Sequence, residues 1–202
     1  MDCRNIVALT RPSRDFSFTL SLLVFVVSAS IRFALAPLAA GSDVGQFWAF
    51  AKTFQIYGLD FYNHNDVPLE FWPYGWPYCY PPIWLLLLAL SYFLAPVSEA
   101  YSPAWRLVVK APIIVADLSI GFILLRMFPE NRRLGLIASS LWLLNPWSIY
   151  ISSIFGQFDA ISVVFLFSSV YMFESKRTIS GGVLSGLALM TKQYALFPIC
   201  LI

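Results

Sequence analysis

Arg106, Lys110 and Asp117 stand within a run that is largely apolar. Steps of four and seven residues bring a helix back to nearly the same direction, so all three fall on one helical face. A fourth, Lys192, sits beside Gln193 in the last apolar stretch. A charge near the centre of a bilayer costs roughly 2.5–3.5 kcal/mol on insertion scales, so such groups must pair or face water. One reading is that Lys110 and Asp117 neutralise each other inside a helix bundle. The other is a cationic pocket for an anionic headgroup such as a phosphate, for which Arg and Lys are the usual donors.

A second cluster brackets a predicted helix junction. Pro146, after Asn145, should end or kink the helix before it. Ser152, Ser153 and Gly156 loosen the turn, and Gln157 and Asp159 stand at the mouth of the next apolar segment. Asp159 can equally be an N-cap. Gly182 and Gly186, four apart, read as a close helix contact. His64 lies among Asn63, Asn65 and Asp66 and reads as solvated surface. Cys3, Cys79 and Cys200 are odd in number and far apart, and specify neither a disulfide framework nor a zinc site.

The elements that must position these residues are set by hydropathy. The chain of 202 residues is 59% hydrophobic and 12% charged, about half the charge of a soluble domain. Its apolar residues collect in runs of membrane-spanning length, so lipid is the expected solvent. No basic stripe points to nucleic acid. Arg4, Arg11 and Arg14 precede a first run over 16–36, read as a signal anchor or first membrane helix with a cytoplasmic N-terminus rather than a cleaved leader. A long connection over 37–79 follows. It is expected to hold a short amphipathic helix at 46–57 lying in the membrane interface, closed by Gly58, and an ordered Trp/Tyr/Pro loop up to Pro82. Further apolar segments run over 82–95, 106–128, 134–151, 160–173 and from 181 onward. The last is still apolar at Ile202, which predicts that more helices follow. The expected fold is an all-α, polytopic transmembrane bundle, one module over 1–202 with about five or six membrane segments. Single crossings throughout would put Arg132, Arg133, Lys176 and Arg177 outside, against the positive-inside rule. A re-entrant segment at 82–95, or a hidden second crossing before Trp105, removes that conflict and sets Asp43, Gln157 and Asp159 on one outer side.

The ordered set of motifs resembles a known family. An Asp follows the first membrane helix (Asp43), and Tyr80-Pro81-Pro82 leads an apolar segment. Lys110 and Asp117 share a helix, and Asn145-Pro146 precedes Gly156-Gln157-Phe158-Asp159. Lys192-Gln193-Tyr194-Ala195-Leu196 is followed by Pro198. From about residue 40 onward this resembles the C-type membrane glycosyltransferases, in particular the dolichyl-phosphate-glucose-dependent glucosyltransferases of asparagine-linked glycan assembly. It is also similar to the mannosyltransferases of GPI-anchor assembly and their prokaryotic relatives.

The resemblance implies an inverting hexose transfer, mannose or glucose, from a polyprenyl-phosphate donor to a lipid-linked or glycan acceptor. It implies Asp43 as the catalytic carboxylate. Lys192 and Gln193, helped by Arg106 and Lys110, would hold the donor phosphate. Gln157, Asp159, Tyr80 and Trp76 would line the donor and acceptor pocket. The expected location is a prokaryotic plasma membrane or the endoplasmic reticulum membrane. Cys79 stands where the glucosyltransferases carry a second Asp, and Ser152-Ser153-Ile154-Phe155-Gly156 replaces their His-rich turn. Both departures turn the expectation toward mannose. Gly45 denies Asp43 an Asp-x-Asp partner, so no metal or other cofactor is expected. A membrane transporter with a Lys/Asp site, and an inactive scaffold subunit, are the competing classes.

Overall fold

The computed structural model describes residues 14–64 and 77–200. Trp76, Asn65, Asp66, Cys3, Arg4, Arg11 and the loop stretch up to residue 76 lie outside the described residues. Every regular element among the described residues is helical. We number the α-helices α1 (Arg14–Leu35), α2 (Ser42–Tyr57), α3 (Pro82–Leu94), α4 (Pro103–Met127), α5 (Arg132–Leu143), α6 (Pro146–Phe155, its second half a π-turn), α7 (Asp159–Glu174), α8 (Thr178–Leu189) and α9 (Leu196–Ile199). The chain is thus all-α, as its hydropathy predicts.

Its outward face is apolar where that of a water-soluble bundle is polar. On α1, Phe18, Leu22, Leu23 and Val26 face outward, while Ser28 and Arg32, one turn apart, are wholly buried. Ser139, Ser162 and Ser169 are likewise buried, while Leu141, Phe93 and Val183 are exposed. Lipid tails solvate apolar side chains, so polar side chains find their partners between helices. Among the described residues two helices, α1 and α4, are long and apolar enough to cross a membrane, and α5 with α6, bent by 46°, makes a third if counted as one span. This is fewer than the five or six segments expected from hydropathy. The helices α3 and α8 are apolar but have only 13 and 12 residues.

Broken helices leave carbonyls without donors, and buried polar side chains fill those vacancies. Pro146 ends α5, and the amide of Trp147 turns to the side chain of Asn145 at 2.9 Å. The carbonyl of Leu143, four residues before Trp147, instead accepts from Ser28 Oγ at 2.9 Å and Arg32 Nη1 at 3.1 Å. Inside α4, Pro112 cannot donate to the carbonyl of Val108, and Ser91 of α3 reaches that oxygen at 3.5 Å.

The helix predicted over 46–57 forms, but it begins at Ser42 and is packed among other helices rather than presenting one apolar face outward. Val44, Phe47, Ala49 and Phe50 are at most 1% exposed, and they recur around most of its circumference. It is the centre of the main apolar cluster, enclosed by α3, α4 and Phe158. Gly58 closes it with a φ of +56°, as expected. The expected Gly182–Gly186 contact is also displaced. Neither glycine has a neighbour within reach of a Cβ, whereas Gly181 packs against the Phe173 ring and Ser185 meets Ser169 at 2.7 Å. The α7–α8 hairpin therefore closes one residue around the helix from the face that the spacing indicated.

Both ends of the α3 segment return to the same end of the bundle. The amide of Ile83 donates to the Met190 carbonyl at 3.1 Å, beside Lys192. After α3, Tyr101 Oη donates to Ser42 O at 3.2 Å and Trp105 Nε1 to Val44 O at 2.9 Å. The helix makes no net crossing, which agrees with the re-entrant alternative. Arg132, Arg133, Lys176 and Arg177 consequently lie at the ends of α4 and α7 remote from Asp43 and Asp159.

Candidate active site

The candidate residues gather where two helices start and two others end. Asp43 is the second residue of α2 and Asp159 the first of α7. A helix N-terminus carries partial positive charge, which favours a carboxylate in the first turn. Phe158, rather than Asp159, occupies the N-cap of α7. The side-chain amide of Gln157 donates to the carboxylate of Asp43. Ser42 Oγ donates to the other carboxylate oxygen at 3.2 Å. Two residues after Gln157, the Asp159 carboxylate accepts from Lys192 Nζ at 2.5 Å. The three consecutive residues 157–159 thus link the acid of α2 to the cation that follows α8.

An aromatic wall surrounds that cation. Lys192 Nζ stands 4.7 Å from the centre of the Phe158 ring, 5.6 Å from Tyr194 and 5.9 Å from Tyr80. Phe158 is stacked on Trp84 at 4.4 Å and meets Tyr80 edge-on at 4.9 Å. Burial pushes the phenol of Tyr80 up. Cys79, Asp43 and Asp159 add to that shift because their negative charges oppose a phenolate. Tyr80 therefore remains a neutral hydroxyl at neutral pH. Gln193 donates to the Cys79 carbonyl at 2.8 Å, which ties this corner to the Tyr-Pro-Pro segment. Pro82 starts α3 at the first helical position, where its missing N–H is harmless.

The basic residues of α4 have a different environment. Lys110 is wholly buried, and its ammonium lies 2.5–3.0 Å from four carbonyls: Ala36, Ala39, Ser153 and Ile154. These belong to the C-terminal ends of α1 and α6, where orphan carbonyls concentrate negative charge. An ammonium has three protons, so four carbonyls saturate it. Arg106 binds the next carbonyls of the same connection, Pro37 at 3.3 Å and Leu38 at 3.1 Å. Asp117 is not neutralised by Lys110. It pairs with Arg32 of α1 at 3.4 Å, with Ser148 bridging the two. Lys110 and Asp117 share one face, as the spacing predicts, but the reading in which they neutralise each other does not hold, because their partners come from α1 and α6.

Asp43, Gln157, Asp159, Lys192, Gln193 and Tyr80 meet at one place, and Arg106 and Lys110 of α4 bind the connection between α1 and α2. Phe158 and Tyr194 stand inside the motifs but were given no role from sequence, and neither was Arg32. Arg32 alone had a usable signal, a charge near the end of an apolar run. His64 is exposed, stacked on Tyr57 and paired with Asp60, as surface residues are. Among the described residues no group of His, Cys, Asp and Glu could hold a metal. A groove of about 380 Å³ between α1, α3 and α4 is almost wholly apolar and is lined by none of these site residues.

No protein-family model matches the chain, and no solved structure matches it significantly. Two curated proteins do. GPI mannosyltransferase 1 of Candida albicans is 27% identical over 121 residues, which cover 58% of this chain and 28% of that protein. GPI mannosyltransferase 1 of Saccharomyces cerevisiae is 27% identical over 119 residues, covering 58% of this chain and 27% of that protein. The chain therefore spans little more than a quarter of the length of the relatives it matches. A helical membrane protein with this motif order and these relatives resembles the C-type membrane glycosyltransferases, on the side of the GPI mannosyltransferases.

Proposed function

We propose that this protein transfers a hexose, in the first instance mannose, from a polyprenyl-phosphate donor to a lipid-linked or glycan acceptor hydroxyl. The observation that carries the reading is the meeting of Asp43 and Lys192 at one mouth, joined through Gln157 and Asp159. A carboxylate within about 2.6–3.2 Å of an acceptor hydroxyl can take its proton as the new bond forms. Asp43 is half-buried and oriented by Gln157, which suits that role. The donor leaves as a lipid phosphate, already anionic and needing no acid. Its growing charge calls for a fixed cation, and Lys192, with Gln193 beside it, is the cation of this mouth. Asp159 holds that ammonium until a phosphate takes its place. Tyr80 and Phe158 offer ring faces of the kind that suit a sugar. Arg106 remains near enough to the connection before Asp43 to assist at the rim. Lys110, saturated by carbonyls, contributes through position instead.

The test uses the full-length protein in native membranes with labelled polyprenyl-phosphate mannose, and glucose as the parallel donor. Asp43→Asn should abolish transfer while the protein accumulates normally. Undiminished transfer by that variant would remove Asp43 from the mechanism. Transfer from neither donor by the parent would remove the sugar-transfer reading itself.

A further inference from the structure

The mouth is assembled from segments far apart in sequence, and one side chain joins them from behind. Lys110 Nζ binds Ala36 and Ala39, which precede Asp43, and Ser153 and Ile154, which precede Gln157. The same two segments touch directly where the Gly41 amide donates to the Phe155 carbonyl at 3.0 Å. Gly156 seals the arrangement. Its φ is +88°, and a Cβ there would fall 2.7 Å from Val44 and 3.2 Å from Lys110 Cε. Without the ammonium, four carbonyls at two helix C-termini would face one another unscreened, and their mutual repulsion would open the contact.

We propose that Lys110 is a positioning residue: its ammonium clamps the end of α1 to the π-turn of α6 and thereby sets Asp43 at the amide of Gln157. The catalytic consequence rests on the reading of Asp43 as the base. The clamp itself does not. A cation bound by four carbonyls acts on the separation of two segments and does not touch the donor phosphate.

The experiment reads the separation and the reaction independently, in the full-length protein in membranes. A parent carrying Ala39→Cys and Ile154→Cys, at the two segments whose carbonyls share the ammonium, with Cys3, Cys79 and Cys200 replaced by Ser, should be bridged rapidly by a short bifunctional methanethiosulfonate. Adding Lys110→Met should slow bridging about tenfold and, in the unbridged protein, lower kcat about a hundredfold at unchanged donor KM. Once the bridge has formed in the Lys110→Met protein, kcat should recover, and reduction should remove the recovery. Equal bridging rates with and without Lys110 would overturn the clamp. A bridge that forms but restores nothing would overturn positioning in favour of direct contact with substrate. Should Lys110→Met fail to accumulate, Lys110→Gln retains two N–H donors and should bridge more slowly than the parent; a rate equal to the parent's overturns the proposal. If the parent transfers no sugar at all, the functional reading fails while the bridging rates still decide the clamp.

Discussion

Gln157 donates its side-chain amide to the Asp43 carboxylate across 114 residues of sequence. The bond fixes one oxygen of the proposed base. A hydrogen bond to a charged group is worth about 1.5–3 kcal/mol. Gln157→Leu should therefore lower kcat by roughly one to two powers of ten, measured from initial rates at saturating donor. Gln157→Glu replaces the donor by a second carboxylate and should lower kcat at least as far as Gln157→Leu. A kcat equal to the parent's in both variants would dissociate Gln157 from the base.

Asp159 and Lys192 should have opposite effects on donor binding. Their pair is partly exposed, with side-chain exposures of 39% and 17%, so its removal should change stability by less than about 1 kcal/mol. Asp159→Asn frees the ammonium and should lower the donor KM several-fold, whereas Lys192→Gln should raise it. Equal rises in both variants would assign Asp159 a contact with the substrate instead.

Breaking the Arg32–Asp117 pair should be costly, and replacing both residues should be much less so. Both side chains are at most 3% exposed. Removing one partner from a buried pair costs about 3–5 kcal/mol, while exchanging both for apolar residues is often neutral. Asp117→Leu and Arg32→Met should each sharply reduce the amount of folded protein in detergent on heating. The double variant should recover most of the loss. Additive losses would show that the two charges act separately.

The ends of the bundle predict the two sides of the membrane. Asp43 and Asp159 lie at one end, and Arg132, Arg133, Lys176 and Arg177 at the other. With the basic end inside, a cysteine at Ser42 should react with an impermeant reagent only from the non-cytoplasmic side. One at Lys176 should react only from the cytoplasmic side. Labelling of both from one side would reverse the re-entrant assignment of α3.

Much of this arrangement was legible in the sequence, and the limits have physical causes. Membrane character and helical class follow from the length of the apolar runs. The juxtaposition of Asp43 with Gln157 and Lys192 was expected from the order of motifs rather than from periodicity. Periodicity placed Arg106, Lys110 and Asp117 on one face of α4 but could not name what meets that face. Those partners are carbonyls and an arginine from helices about 70 or more residues before it in the chain or about 40 after it. The helix α2 was read as amphipathic because Gln46, Lys52 and Gln55 looked like a polar stripe. Phe47, Trp48 and Phe50 outweigh that stripe, and surrounding helices bury them. The start of α2 at Ser42 was missed because Gly41 and Ser42 resemble loop, yet they raise Asp43 onto a helix end.

The buried charge of α1 also constrains how the protein is made. Arg32 enters the membrane early, but its acceptors Leu143 and Ser148 emerge 111 and 116 residues later. At ordinary elongation rates of about 5–20 residues per second, that interval is on the order of ten seconds. Until Asp117 emerges the guanidinium lacks its ion-pair partner, and until Leu143 and Ser148 follow it lacks its other acceptors. The nascent first helix must therefore linger beside the insertion machinery, or sit tilted toward the headgroups, until the later helices arrive to receive it.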